Sequence, residues 1–161
     1  MSGGAGHEAR DQRLAEAVVG GMLADDAFSR WLGVEVAALA PRSATLRMTV
    51  RDDMLNGFGV CHGGVTFSLA DSALAFASNT HGRVTMSVEN AIGYPAPARA
   101  GDVLTAHAVE ESANGPLAFY RVDVARADGT AIAHFRGTVY RTRREHAAAA
   151  GMLTTGDEGN G

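Results

Sequence analysis

Hydrophobic and polar residues alternate with a period of two in the middle of the chain, which predicts β-strands. From residue 43 to 50 the even positions hold Ala, Leu, Met and Val, whereas the odd positions are polar, as in a strand with one buried face. Residues 84–92 alternate in the same way. The predicted strands are 34–39, 43–50, 84–92, 103–112, 117–125 and 130–141.

Two dipeptides join the last three predicted strands. Asn114-Gly115 and Asp128-Gly129 lie between them, and both favour the positive φ angles of tight hairpin turns. The C-terminal half is therefore predicted to be an antiparallel meander. Because an open sheet exposes its outer strands to pairing with another chain, we expect at least a homodimer that continues the sheet.

One helix is predicted between the second and third strands, over residues 63–79 (GGVTFSLADSALAFASN). Its apolar side chains cover nearly all of its faces, which is typical of a buried helix. One buried helix with five or six antiparallel strands predicts an α+β fold in which the sheet wraps around the helix.

The two ends of the chain are patterned less clearly. Residues 8–32 show helical spacing that is interrupted at Asp25-Asp26, which predicts a helix or a helix pair. Residues 1–7 are predicted to be disordered, and the tail from residue 146 is predicted to be frayed. The expected organisation is an N-terminal helical extension (1–27), one domain (28–142) and a flexible C-terminal tail (143–161).

The composition narrows the class of protein. The 161 residues are 46% hydrophobic and 20% charged, with a formal net charge of −4, which is typical of one globular domain. No basic stripe is present, so a nucleic-acid partner is not expected. The single cysteine, Cys61, fits a reducing compartment. No run of residues has the pattern of a signal sequence or a membrane span, so we expect a cytoplasmic protein without a membrane partner.

The loop before the predicted helix is a candidate binding element. It runs from Asn56 to Gly64 and contains four glycines, which allow a ligand to approach the backbone closely. The unpaired amides of a first helical turn can hold an oxyanion or a carbonyl oxygen. A tight turn whose glycines serve packing alone is the alternative interpretation.

Asp71 is the candidate acid or base. It lies mid-helix among apolar neighbours, where a carboxylate is costly unless it is hydrogen-bonded, protonated or used in chemistry. The alternatives are an exposed helix face, or a carboxylate satisfied by Ser68 or Ser72. Asp71 lies eight residues beyond Gly63, about 12 Å along a helix axis. Two antiparallel helices related by a two-fold axis would bring Asp71 of one chain to Gly63 of the other, giving two shared sites per dimer.

Other candidate groups are weaker. A cysteine mechanism is disfavoured, because Cys61 and His62 are adjacent in the chain and adjacent residues rarely align as nucleophile and base. His62 could orient a substrate or hold the loop, and His107 and His134 are interpreted as surface or packing residues. No residues have metal-ligand spacing, and there is no phosphate-binding loop or dinucleotide motif, so we expect neither a metal nor a cofactor.

The segment NGFGVCHGGVTFSLADSALAFASN resembles the signature of the hotdog-fold acyl-CoA thioesterase superfamily, and most closely that of PaaI-type (phenylacetic acid degradation) thioesterases. The residues that carry the resemblance are Asn56, His62-Gly63-Gly64 and the aspartate nine positions after the histidine. The resemblance covers residues 28–142. It implies a curved sheet around a central helix and a homodimer with a continuous sheet, often paired into a homotetramer.

The resemblance also implies roles for the site residues. The Gly63 N–H would polarise the thioester carbonyl, and Asp71 of the facing subunit would act as general base or nucleophile. Asn56 and His62 would help to place the water or the thioester. The implied reaction releases free acid and CoA from an acyl- or aryl-acyl-CoA such as (hydroxy)phenylacetyl-CoA, so that CoA is part of the substrate and no cofactor is needed.

Residues that could contact the substrate fall into two groups. Near the loop and the helix, the candidates are Gly64, Met54, Leu55, Phe58 and Phe67, with core packing as the alternative for Phe67. For the phosphates of CoA, the candidates are Arg99, Arg121, Arg143 and Arg144, with a solvated surface arginine as the alternative for each.

Two other functions stay open. The first is a non-catalytic acyl-CoA-binding hotdog protein, against which the mid-helix carboxylate argues. The second is a hotdog enoyl-CoA hydratase or dehydratase. Hydratase-type relatives carry Asp-x-x-x-x-His at the helix entry, whereas the spacing occurs here between Asp102 and His107, at the start of a later predicted strand.

Overall fold

The computed structural model describes residues 3–154 and confirms an α+β fold. A short 3₁₀ turn, Asp52–Met54, precedes the central helix. The helices are α1 (Gly3–Asp25), α2 (Ala27–Leu32), α3 (Gly63–Asn79) and α4 (Ala147–Thr154). The strands are β1 (Glu35–Ala40), β2 (Ser43–Thr49), β3 (Arg83–Gly93), β4 (Val103–Asn114), β5 (Leu117–Arg126) and β6 (Ala131–Glu145).

All six strands form one antiparallel sheet in the order β1-β2-β4-β5-β6-β3. The sheet wraps around α3, which contacts β2 and the four strands from β3 to β6. β3 follows α3 in the chain but pairs with β6, so that it forms one edge of the sheet, while β1 forms the other. Within residues 3–154, no helix is long and apolar enough to span a bilayer.

The central helix has the bounds predicted from its sequence. Leu69, Ala73, Leu74 and Ala77 of α3 are completely buried, because the sheet covers most of its circumference. Full burial of one leucine side chain contributes about 1.5–3 kcal/mol to the stability of the folded state. The packing of α3 against the sheet therefore stabilises the fold and fixes the position of the helix.

β3 contains a bulge that changes which side chains face the core. Ser87 pairs with Val139 of β6, whereas Glu89 pairs with the adjacent Thr138. The extra residue, Val88, reverses the alternation of side chains. Met86 and Val88 are therefore exposed, with 56% and 59% of their surface accessible, whereas Asn90 and Ile92 after the bulge are half-buried. The regular alternation over residues 84–92 does not correspond to one face of the strand.

The break at Asp25-Asp26 separates two helices. Asp26 caps α2 by accepting a hydrogen bond from the Ser29 N–H at 2.9 Å. The prediction of disorder is wrong for residues 3–7, because α1 begins at Gly3; residues 1–2 lie outside the described part. A formed helix extends easily, since each added residue gains a hydrogen bond.

The prediction of a frayed tail is wrong for residues 146–154. β6 continues to Glu145 and α4 packs against α1. Ala149 is buried and lies so close to Gly82 that a Cβ at position 82 would be 2.9 Å from the Ala149 Cβ. α4 is held against α1 by close contacts of small residues rather than by large apolar side chains. The alanine-rich segment therefore shows no apolar periodicity in the sequence. Residues 155–161 lie outside the described part, and the proposed domain boundaries stay predictions.

Candidate active site

Asp71 is held by a side chain of the edge strand. The Asn90 Nδ2–H donates a hydrogen bond to Asp71 Oδ1 at 2.9 Å. Neither serine considered as a partner does this: Ser68 donates to the Gly64 carbonyl, and the Ser72 hydroxyl bonds to the hydroxyl of Ser29. The carboxyl group is half-buried, which excludes the alternative of an exposed helix face.

Two neighbours hold the Asn90 amide in place. The Ser87 hydroxyl donates to Asn90 Oδ1 at 2.8 Å, which leaves the amide N–H directed at Asp71. Asn90 pairs across the sheet with Gly137 of β6. A Cβ at position 137 would lie 2.8 Å from Asn90 Oδ1 and 2.4 Å from a methyl group of Leu74, so only glycine leaves room for both side chains.

Burial sets the electrostatics of the carboxyl group. The pKa of Asp71 is raised above its ordinary value because burial disfavours the charged form, while the hydrogen bond from Asn90 opposes the rise. A carboxylate with a raised pKa is a stronger base, and Asn90 keeps it oriented. The arrangement suits proton transfer to or from a bound molecule.

The start of α3 presents a free backbone donor. The His62 Nδ1 accepts a hydrogen bond from the Gly64 N–H at 2.9 Å, which caps the helix. The Gly63 N–H has no hydrogen-bond partner among residues 3–154. Tyr94, just after β3, donates its hydroxyl to the Gly63 carbonyl at 2.8 Å. The first turn is therefore fixed from both sides while the amide at its start stays available.

The glycine loop is folded back on itself by Asn56. Asn56 Oδ1 accepts from the Phe58 N–H at 2.9 Å, and the Asn56 N–H donates to the Val60 carbonyl at 2.8 Å. His62 is anchored in the same way, through its N–H to the Met54 carbonyl. Both polar candidates thus hold the loop in shape; their direct contact with a substrate stays a prediction.

The candidate acyl contacts differ in accessibility. Phe58 is 92% exposed and Leu55 is half-buried, whereas Met54 is 2% exposed and packs in the core. Met54 therefore packs in the core of the single chain, and its contact with a substrate stays a prediction. Phe67 packs edge-to-face on Phe135 at 5.3 Å between ring centroids, which supports its core interpretation.

The other candidate residues differ in their surroundings. Arg121 pairs with the carboxylates of Glu111 and Asp123, while Arg99 is exposed in the loop before β4. Burial raises the pKa of the Cys61 thiol, which disfavours its nucleophilic thiolate form.

The hydratase spacing does not form a catalytic pair. Asp102 accepts a hydrogen bond from the Arg99 N–H and lies 3.6 Å from Arg126, whereas His107 bonds to the Thr45 hydroxyl. Among residues 3–154, no group of three or more His, Cys, Asp or Glu side chains could hold a metal ion.

Asp71 and Gly63 lie outside the cavity at the C-terminal end of α3. A cavity of about 820 Å³ lies between α1, the turn after β1 and the C-terminal end of α3, and its lining does not include either residue. Asp71 instead faces the edge strand β3 through Asn90, and Gly63 contacts Tyr94, the residue just after that strand.

Asn90, Ser87 and Gly137 were missed by reasoning from the sequence. Asn90 is 19 positions from Asp71, and its inward orientation depends on the bulge in β3. The signal that could have found the arrangement is Gly137, since a glycine inside a strand often marks a close approach of another group.

Comparison with known proteins agrees with the fold and the motif. The "Thioesterase superfamily" profile matches residues 58–133. The acyl-coenzyme A thioesterase PaaI of Escherichia coli is 35% identical over 120 residues, covering 74% of this chain and 86% of that protein. A putative esterase of Archaeoglobus fulgidus is 34% identical over 137 residues, covering 85% of this chain and 89% of the relative.

The solved structures show the same likeness. The structure of the E. coli PaaI protein from the phenylacetic acid degradation operon superposes with a TM-score of 0.81 at 32% identity, covering 83% of this chain and 97% of that one. The six-stranded sheet around α3 and the His62-Gly63-Gly64 turn agree with these similarities. The chain therefore belongs to the thioesterase superfamily and is a thioester hydrolase of the PaaI-type hotdog branch.

Proposed function

We propose that the protein hydrolyses acyl- or aryl-acyl-CoA to the free acid and CoA, with Asp71 and the Gly63 N–H acting on the same thioester. The observation that carries the proposal is the half-buried Asp71 carboxylate, which a single side-chain amide on β3 orients at 2.9 Å. The similarity to E. coli PaaI, named an acyl-coenzyme A thioesterase, supports the choice of substrate class.

The chemistry follows from the two groups. The ionised Asp71 removes a proton from water as the water attacks the thioester carbonyl, and the C–S bond breaks to release the thiol of CoA. Negative charge that develops on the carbonyl oxygen is met by the Gly63 N–H and the positive end of the α3 dipole. One such donor contributes about 10²–10³ in rate in other acyl-transfer enzymes. The reaction needs no cofactor.

Two chains would complete the site. The edge strand β3 exposes Met86 and Val88 together with its unpaired backbone groups, and a second copy that pairs with it would cover both. Because Asn90 of β3 lies beside Asp71 and Tyr94 lies beside Gly63, antiparallel pairing of two β3 strands would bring the Gly63 end of one chain towards mid-helix of the other. We propose a homodimer built this way, with pairing into a homotetramer and a cytoplasmic location as further predictions.

Asp71 could also attack the carbonyl directly. That route forms an anhydride between Asp71 and the acyl group, which water then cleaves. In a single turnover in H₂¹⁸O, general-base catalysis places ¹⁸O in the released acid. Attack by Asp71, followed by hydrolysis at the Asp71 carbonyl, leaves the acid unlabelled and labels the enzyme.

A panel of acyl-CoA substrates tests the proposed function. Short, medium, long and aromatic acyl groups, including phenylacetyl-CoA, are compared by kcat/KM with a thiol reagent that reports free CoA. We expect turnover of at least one class, while enoyl-CoA hydration measured in parallel stays absent. Absence of hydrolysis across the whole panel would contradict the proposal and favour a non-catalytic binder.

A further inference from the structure

Four arginines converge on one cavity at the C-terminal end of α3, away from Gly63. Arg42, Arg83, Arg141 and Arg143 line a cavity of about 490 Å³ together with His81. They come from three separate parts of the chain: the turn between β1 and β2, the start of β3 and the end of β6. We call this set the arginine pocket.

The positive charge of the arginine pocket is only partly neutralised. Glu110 pairs closely with Arg141 and lies 3.8 Å from the Arg42 Nε. Arg83 and Arg143 form no ion pair with any carboxylate of residues 3–154. Glu145 lies opposite Arg83 across β3 and β6 but forms no ion pair with it. Glu110 is therefore the one carboxylate of residues 3–154 that forms an ion pair with these four arginines, in a chain whose formal net charge is −4.

The acidic residues of α1 near the arginine pocket do not neutralise its excess positive charge. Glu8 and Asp11 of α1 line the neighbouring 820 Å³ cavity, which shares Arg42 and His81 with the arginine pocket. Neither forms an ion pair with the four arginines. The pKa of His81 is lowered to about 4 by burial and then by the charge of Arg141, so the imidazole is neutral at neutral pH and the pocket's charge comes from the arginines.

The backbone fixes two of the four arginines. Arg42 has a φ of 65° and is the one non-glycine residue of the described chain with a positive φ, in a region that glycine and asparagine occupy more easily. Its N–H donates to the Thr80 hydroxyl and its carbonyl accepts from the Glu110 N–H. The Arg141 N–H donates to the Pro116 carbonyl at 2.7 Å. Strained backbone that neighbouring groups stabilise often accompanies function.

We propose that the arginine pocket binds a phosphate-bearing anion. Guanidinium groups match phosphate oxygens two at a time, which makes arginine well suited to such ligands. The volume lies in the range of small-molecule sites. Asp71 and Asn79 are about 12 Å apart along α3, so the pocket is separate from the reacting group.

Two sources of the phosphate share this chemistry. One is the nucleotide end of a CoA thioester, whose pantetheine arm separates the phosphates from the thioester; this source rests on the proposed function. The other is a free phosphate compound that binds independently of the substrate. Either source would relieve the repulsion among the four guanidinium groups.

Calorimetric titration with inorganic pyrophosphate tests the pocket without relying on catalysis. The Arg83→Gln/Arg143→Gln double variant is compared with wild type and with Arg13→Gln/Arg47→Gln, which removes the same charge from exposed, unpaired arginines elsewhere. We expect the first double variant to bind at least about tenfold more weakly, the effect of losing one charge-assisted hydrogen bond, and the control to stay within about twofold of wild type. Absence of binding to wild type, or equal weakening in both variants, would overturn the proposal. Melting temperatures confirm that both variants fold.

Steady-state kinetics then identifies the source. If CoA occupies the pocket, Arg83→Gln/Arg143→Gln raises KM for an acyl-CoA more than KM for the N-acetylcysteamine thioester of the same acid, which lacks phosphates. If pyrophosphate binding weakens while both KM values stay the same, the pocket serves a separate anion. Absence of hydrolysis by wild type would contradict the proposed function but would leave the binding result intact.

Discussion

The Asn90 side chain on β3 donates a hydrogen bond to the Asp71 carboxylate on α3 at 2.9 Å. This bond links the edge of the sheet to the only carboxylate of the central helix. It also directs Asp71 towards the side of the molecule where a second chain would extend the sheet.

Replacing Asp71 by Asn removes the proposed base while keeping a side chain of similar shape. We expect kcat to fall about 10²–10⁴-fold, the typical contribution of a positioned base. KM should stay within a few-fold, because the carboxylate acts in the transition state rather than in ground-state binding. An unchanged kcat, measured with the best acyl-CoA of the panel, would remove Asp71 from the mechanism.

Replacing Asn90 by Ala removes the bond that favours the ionised form of Asp71. Burial then raises the pKa of Asp71 without opposition, so the acid limb of the kcat/KM profile moves to higher pH. Ser87→Ala removes a bond to Asn90 and none to Asp71, and it should move the limb less. Identical profiles for wild type and Asn90→Ala would show that Asn90 does not act through Asp71.

The stability gained by replacing Asp71 with Asn should depend on pH. A folded pKa raised above the unfolded value means that the folded state binds more protons between those two values, so its stability falls as pH rises through that window. At pH 7 the variant buries no charge and should melt at a higher temperature than wild type, whereas below pH about 3.9, the unfolded pKa of aspartate, this gain disappears. Exposed Glu35→Gln, which also removes one negative charge, is the control. A gain of equal size at both pH values would contradict the burial of charge at Asp71.

Gly137→Ala tests the space that Asn90 and Leu74 occupy. The new methyl group would lie 2.4 Å from a Leu74 methyl, and overpacking of a core typically costs about 1–3 kcal/mol, so the melting temperature should fall. Exposed Gly20 in α1 has no atom within 4 Å of such a methyl group, and Gly20→Ala should raise stability by roughly 0.5–1 kcal/mol. Equal effects of the two substitutions in thermal unfolding would contradict the close contact.

Local sequence patterns predict much of the fold. The parts that they do not predict escape them for identifiable physical reasons. The bounds of α3 could be predicted because burial on all sides demands an apolar helix without breaks. The orientation of Asn90 could not be predicted, because no glycine or proline marks the bulge at Val88 in the sequence. The contact between Asn90 and Asp71 also depends on the space left by Gly137, 47 positions further along the chain. The packing of α4 on α1 escaped prediction because alanine and glycine contacts leave no periodic pattern.

Mixed-subunit complementation tests the shared active site most directly. Asp71→Asn removes the carboxylate, and Gly63→Pro removes the backbone donor at a first helical position that tolerates proline; the preceding His62 has the extended conformation that proline requires (ψ 132°). Each variant alone should be nearly inactive. When the two are co-expressed, random mixing makes half of the dimers hybrids with one intact site each, so about a quarter of the wild-type activity should return. Activity that stays at the level of the parent variants, with hybrid dimers shown to be present by mass spectrometry, would contradict a site shared between two chains.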